Sequence, residues 1–140
     1  MRHARLAVVA AVLVGALTLP SAAAAQISGV DAGQLTLGPD GASATVPVLV
    51  TCDAGYSIFG VAADVLQLKG NRIIRGSGFE FPSPALPCTG SPRTVQVIAD
   101  NFGPFRFQNG RATVNVTVGL QGPSSVIQSF GPFEVRLAKK

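Results

Sequence analysis

Apolar and polar residues alternate along most of the chain after residue 26. The clearest stretch is residues 111–120, where every even position is apolar and the odd positions hold Arg, Thr, Asn, Thr and Gly. The even positions from 44 to 52 are also apolar, which places Cys52 on the apolar parity. Alternation with a period of two is typical of strands that bury one face and expose the other.

Shorter alternations extend this pattern to seven predicted strands. They cover residues 34–37, 42–52, 58–68, 73–79, 94–99, 111–120 and 133–137. The sequence Gly38-Pro39-Asp40-Gly41 predicts a hairpin turn between the first two strands. No apolar stripe has the helical period, and turn residues separate the strands at short intervals. The pattern therefore predicts an all-β, antiparallel sandwich of the immunoglobulin-like or fibronectin-like type.

Two strands carry irregularities that predict local departures from regular pairing. Pro47 lacks a backbone N–H, so the strand over residues 42–52 is expected to lie near an edge or to be bulged there. In residues 58–68 the apolar residues change parity at Leu66 and Leu68. This change predicts a β-bulge near Val65 and Leu66.

The first 25 residues have the composition of a secretory signal peptide. Arg2 and Arg5 precede the apolar run at residues 6–19, and Pro20, Ser21 and four alanines follow it. This order of a basic, an apolar and a small-residue region predicts cleavage after Ala25. We therefore expect residues 26–140 to form one secreted domain, loosely cell-wall associated at most, with no membrane anchor after cleavage.

The charge and histidine content of residues 26–140 argues against catalysis and metal binding. The full chain has a net charge of +4, and removing Arg2 and Arg5 lowers it to +2. The single histidine, His3, also lies in the predicted signal peptide. Without histidine there is no Ser-His or Cys-His pair and no histidine-ligated zinc. Because the seven acids are widely spread, we expect no enzyme activity, no cofactor and no metal site.

Cys52 and Cys88 are the only cysteines of the chain. In an exported chain, an even number of cysteines most simply forms structural disulfides. A redox pair is the first alternative, but redox cysteines usually lie close together in sequence. A metal site is the second, but two thiols without histidine make a poor one. We favour a structural Cys52–Cys88 disulfide.

Residues 80–92 form a proline-rich loop that ends near Cys88 and is a candidate binding segment. Pro82, Pro84 and Leu86 would form its contact surface. A stiff loop tethered by a disulfide could inhibit a hydrolase, because preorganisation lowers the entropic cost of binding. The alternative, which we favour, is a crossover between two sheets.

A second candidate binding surface lies at residues 101–110, where Phe102, Phe105 and Phe107 cluster. Exposed, these rings could stack on a sugar or contact a partner. We favour the alternative that they close one end of the sandwich, because such platforms more often use Trp and Tyr.

The turn that joins the strands over residues 58–68 and 73–79 is basic. It is flanked by Lys69, Arg72 and Arg75. With a net charge of only +2 after signal removal, nucleic-acid binding is not expected, and a solvated hairpin accounts for these side chains.

Several short motifs resemble a family of small exported immunoglobulin-like proteins of actinobacteria. They are Val50-Thr51-Cys52, Gly76-Ser77-Gly78, the segment from Cys88 to Pro92, and Phe-x-x-Gly-Arg-Ala at residues 107–112. The likeness covers about residues 42–137. It implies a β-sandwich and a Cys52–Cys88 disulfide, as the residues themselves do, and it implies no catalytic residue.

The function expected from the sequence is that of a secreted, non-enzymatic binding module. Its partner would be a protein or an envelope component, and the module would be a monomer that does not bind nucleic acid. The alternative is a secreted inhibitor of an extracellular hydrolase that acts through residues 80–92.

Overall fold

The computed structural model describes residues 26–140, and the predicted signal peptide lies outside them. Nine strands follow one another along residues 26–140. Their bounds are Ile27–Ala32 (β1), Leu35–Leu37 (β2), Ser43–Cys52 (β3), Ser57–Lys69 (β4), Arg72–Glu80 (β5), Leu86–Pro87 (β6), Arg93–Phe102 (β7), Gly110–Gln121 (β8) and Val126–Ala138 (β9). A short 3-10 turn at Pro39–Gly41 makes the predicted hairpin connection between β2 and β3. The all-β class is confirmed.

The strands form one hydrogen-bonded sheet that closes on itself. Its order is β3-β2-β9-β8-β4-β5-β7, and β7 pairs back with β3 over eight residue pairs. These seven strands are the seven that alternation predicts. Two short additions lie outside the ring: β1 pairs with β3 and β6 pairs with β4. The closed sheet differs from the two separate sheets expected of the predicted sandwich.

Two glycines explain how β5 reaches β7 and closes the sheet. A Cβ atom on Gly76 would lie 2.7 Å from the carbonyl oxygen of Asp100, and one on Gly78 would overlap the carbonyl oxygen of Ile98. Only glycine allows the two backbones to approach this closely. Glycine inside a strand usually lowers its stability, but in β5 the two glycines allow the strand to pair with β7 as well as with β4.

The core is the interior of the closed sheet, and the two clearest alternation patterns line it as predicted. The apolar residues of β3 and β8 that share the even parity are all buried, namely Ala44, Val46, Val48, Val50, Cys52, Ala112, Val114, Val116, Val118 and Leu120. Leu35, Ile58, Ile74 and Leu137 add the largest of the other fully buried side chains.

Pro47 lies in a strand that is paired on both sides, so the expectation of an edge or a bulge was wrong. The carbonyl of Pro47 accepts a hydrogen bond from the N–H of Gly33, in the connection between β1 and β2. The N–H and C=O groups of a strand residue point to the same side. The missing N–H of Pro47 therefore faces the gap where β3 changes partners from β1 to β2, and no ladder bond is lost there.

The predicted bulge near Val65 and Leu66 was also wrong. The bulge of β4 lies between Ile58 and Gly60, where Phe59 has no partner on β8. Val65 and Gln67 continue the buried parity, while Leu66 and Leu68 point outward. A fully buried glutamine, with its polar groups paired, therefore produces the parity change that the sequence shows.

The Cys52–Cys88 disulfide is confirmed. The two Cα atoms are 5.2 Å apart, and both residues are buried. The bond lies at the end of the closed sheet where β3 ends and β4 begins; we call this end the disulfide end. The opposite end contains the β4–β5 turn, the loop 103–109 and the end of β9. We call it the basic end because most of the lysines and arginines of residues 26–140 lie there.

Candidate functional site

The largest exposed apolar side chains lie on one wall of the closed sheet, except Phe81, which directly follows β5. This wall consists of β9, β8, β4, β5 and β7. The side chains are Leu68, Ile73, Phe79, Phe81, Ile98, Phe102 and Ile127. Within residues 26–140, none of the exposed large apolar residues belongs to β1, β2 or β3. This distribution makes the wall the candidate functional surface.

Near the disulfide end, three of these side chains and the half-buried Phe59 form a compact group. Phe59, Phe79, Phe81 and Ile127 surround an open cavity of about 150 Å³, and we call this group the aromatic patch. Phe79 and Phe81 are 68% and 64% exposed, and their ring centroids are 6.1 Å apart. Ile127 is 71% exposed on the other side of the cavity.

Glycines and the β-bulge shape the floor of the aromatic patch. The ring of Phe59 lies over Gly119, where a Cβ atom would come within 2.6 Å of the ring. The ring of Phe81 lies 3.1 Å from the equivalent position on Gly60. Because the bulge turns Phe59 outward, two rings rest directly on backbone and leave an apolar hollow between them. A cavity of about 150 Å³ in a protein accommodates a benzene-sized group.

Sequence reasoning missed this patch. It predicted strands over residues 58–68 and 73–79, which contain Phe59 and Phe79, but it predicted no binding role for either residue. The available signal was the alternation in β5, where Ile73 and Phe79 occupy odd positions while the even positions 74 and 76 between them are buried.

The proline-rich loop is attached to the sheet along its second half. Leu86 packs against the core, β6 pairs with β4, and the N–H of Cys88 donates to the carbonyl of Tyr56 at 2.9 Å. Pro82 is half-buried and Pro84 is exposed. Of the predicted contact residues, only Pro84 is freely presented, and Phe81 at the start of the loop belongs to the aromatic patch.

The three phenylalanines at residues 101–110 do not form one surface. Phe107 is 3% exposed and belongs to the core, so it is not available to a partner, and its burial agrees with the favoured alternative that these rings close one end of the fold. Phe105 is half-buried, with the guanidinium of Arg72 lying 4.9 Å from its ring centroid. Phe102 is 55% exposed on the outer wall.

Gln67 fixes the loop that carries Phe107. Its Nε2 donates to the carbonyl of Gln108 at 2.7 Å, and its Oε1 accepts from the N–H of Gln108 at 2.9 Å. Nε2 also lies 3.4 Å from the carbonyl oxygen of Arg111. The glutamine therefore joins β4 to the loop 103–109 and to the first residues of β8.

Residues 26–140 contain no group of three His, Cys, Asp or Glu side chains arranged to hold a metal ion. No helix in this part of the chain is long and apolar enough to cross a membrane. Comparison of the sequence with protein-family models and with curated proteins gives no match.

Proposed function

We propose that the chain is an exported, non-enzymatic binding module that engages a protein or envelope component through the aromatic patch. The observation that carries this proposal is the concentration of exposed Phe and Ile side chains around one apolar cavity. Exposed apolar side chains that occur singly are ordinary on protein surfaces, whereas a contiguous group marks an interaction site. Phenylalanine, with the other aromatic residues, is also enriched at the core of protein interfaces relative to the rest of the surface.

The rigidity of the patch supports a role in binding. Phe59, Phe79 and Ile127 belong to strands of the closed sheet, Phe81 directly follows β5, and the disulfide fixes the same end of the molecule. A surface that is already ordered loses little conformational entropy when a partner binds. A partner with an exposed aliphatic or aromatic side chain would fill the hollow between Phe59 and Phe81.

Export is supported by the composition of residues 1–25 and by the disulfide. Disulfides persist in oxidising compartments and are rare in the cytosol. The absence of enzyme activity is proposed because residues 26–140 contain no histidine and few acids. The immunoglobulin-like relationship also stays a proposal: the seven predicted strands and the disulfide support it, but it has to accommodate the pairing of β3 and β5 with β7.

Retention of envelope proteins on immobilised protein tests this function. Detergent-solubilised envelope extract contains no bilayer, so only protein and dispersed components can bind. We expect the wild type and Leu68→Ser to retain the same components and Phe79→Ser/Ile127→Ser to lose them. Leu68 is a matched control because it is 65% exposed on the same wall but far from the patch. Equal retention by all three proteins would contradict the proposal.

The inhibitor function is a second proposal, supported by the attachment of the proline-rich loop. The loop is fixed by the disulfide and by the bond from the N–H of Gly90 to the carbonyl of Cys52 at 3.0 Å. Incubation with secreted serine proteases tests it. A resistant loop and saturable inhibition are expected, whereas cleavage within residues 80–92 without inhibition would exclude this function.

A further inference from the structure

The fold collects most of the positive charge at one end of the molecule. Residues 26–140 hold nine lysines and arginines, the eleven of the full chain less Arg2 and Arg5. Seven of them lie at the end that contains the β4–β5 turn, namely Lys69, Arg72, Arg75, Arg106, Arg111, Arg136 and Lys139. Arg93 lies at the disulfide end, and Lys140 lines a cavity with Thr45, Pro47 and Gln96 on the side formed by β2, β3 and β7. Asp40 and Glu134 are the acids at this end, and Asp64 and Asp100 lie one row of side chains further along the wall.

The other end has the opposite balance. Arg93 is there together with Asp53 and Glu80, and Asp31 lies on β1 nearby. The net charge is therefore small although positive and negative charges are concentrated at opposite ends of the molecule. In the sequence these cations form separate groups, at residues 69–75 and 136–139 with Arg106 and Arg111 between them, and only the fold brings the groups to one end.

Two pairs of like charges face each other across neighbouring strands at the basic end. Arg111 is the direct partner of Arg136, and Lys69 is the direct partner of Arg72. Directly opposed like charges destabilise a sheet. A negatively charged partner removes this penalty, because it attracts both members of each pair.

Exposed apolar side chains lie among these cations. Leu68 pairs with Ile73 across β4 and β5, and the two are 65% and 54% exposed. The register that pairs Leu66 with Thr113 places Leu68 beside Arg111. Phe102 is the partner of Arg75 and is 55% exposed. The basic end thus presents a mixed surface of arginines and large apolar groups.

We propose that the basic end docks the module onto an anionic lipid surface. Cations near a bilayer are attracted to its anionic headgroups, while apolar side chains enter the boundary between headgroups and acyl chains. A soluble polyanion such as a nucleic acid would neutralise the arginines but leave Leu68, Ile73 and Phe102 in water. The lipid surface is favoured because it accommodates both kinds of side chain. This docking goes beyond the proposed function and uses different residues.

Binding to vesicles of defined composition tests the docking. The probes are vesicles of phosphatidylcholine alone and vesicles with 30% phosphatidylglycerol, sedimented with the purified oxidised protein. Every variant has the same N-terminus, so residues 1–25 cannot cause a difference between variants. We expect at least tenfold stronger partitioning onto the anionic vesicles and a decrease of at least fivefold between 0.05 and 0.5 M salt.

Three variants separate the contributions. Arg111→Gln/Arg136→Gln and Leu68→Ser/Ile73→Ser should each lower binding to anionic vesicles at least fivefold, while Phe79→Ser/Ile127→Ser should bind as the wild type does. Thermal unfolding identifies any variant that fails to fold, and the single substitutions Arg111→Gln and Leu68→Ser then replace it. Equal binding to both vesicle types would overturn the proposal. So would tight binding to duplex DNA that is unaffected by Leu68→Ser/Ile73→Ser, because that result identifies a site for soluble polyanions.

Discussion

Gln67→Glu is expected to make the stability of the protein depend on pH. The substitution keeps the shape of the side chain, so packing in the core is preserved. It replaces the Nε2 donor, which lies 2.7 Å from the carbonyl of Gln108, with a carboxyl oxygen. Residue 67 is fully buried, and burial together with the two facing carbonyl groups raises the pKa of the introduced carboxyl.

The magnitude follows from the linkage between protonation and folding. Below the pKa of an exposed glutamate, the carboxyl is protonated in both the folded and the unfolded state. Its O–H can then donate to Gln108, and little stability is lost. As the pH rises, the unfolded state ionises first, and folding becomes less favourable until the folded pKa is reached. For a carboxyl buried to this degree, the loss at pH 7 is about 3 kcal/mol.

Equilibrium urea unfolding at pH 4 and pH 7 measures this effect. We expect Gln67→Glu to lie within about 1 kcal/mol of the wild type at pH 4 and about 3 kcal/mol below it at pH 7. Gln128→Glu is the matched control, because Gln128 is exposed on β9 and should change stability by less than about 0.5 kcal/mol at either pH. Equal destabilisation of the Gln67 variant at both pH values would refute the reasoning, since it would indicate lost packing rather than a buried charge.

Three further substitutions test the fold. Cys52→Ala/Cys88→Ala opens a loop with a sequence separation of 36 and should lower the free energy of unfolding by about 4 kcal/mol in urea; a loss under about 1 kcal/mol would contradict the structural role. Gly78→Ala should lower the free energy of unfolding by at least about 3 kcal/mol or prevent folding, because its Cβ atom would overlap β7. Gly29→Ala is the control: its Cβ atom would make only ordinary van der Waals contacts, so thermal unfolding should show little change. Pro47→Ala should change the urea midpoint little, because its added N–H faces the gap between β1 and β2. A decrease in the free energy of unfolding of more than about 2 kcal/mol would contradict this position of Pro47.

The strands could be predicted from the sequence because alternation directly reports a one-sided strand. The valines of β3 and β8 and the turn at Pro39–Gly41 are local signals, and the structure agrees with each of them. Closure could not be predicted in this way. It depends on the contact of Gly76 and Gly78 with β7, and a glycine in a strand can equally indicate weakness, a bulge or a close backbone approach.

The bulge at Phe59 was hidden by a similar ambiguity. Ile58 and Phe59 are both apolar, so either can occupy the inner face, and Gln67 appears out of place until its partner Gln108 is known. The surfaces were harder still to predict. The aromatic patch and the basic end each combine residues from several strands, and only the sheet order shows which side chains are neighbours.

The central claim, that the aromatic patch is the binding surface, is tested most directly by hydroxyl-radical footprinting. The purified protein is labelled alone and after mixing with native envelope fraction, and side-chain oxidation is read by mass spectrometry. We predict that oxidation of Phe79, Phe81 and Ile127 falls at least threefold on binding, while the half-buried Leu49 on β3 is unchanged. Protection of β2 and β3 with no change at the aromatic patch would contradict the claim.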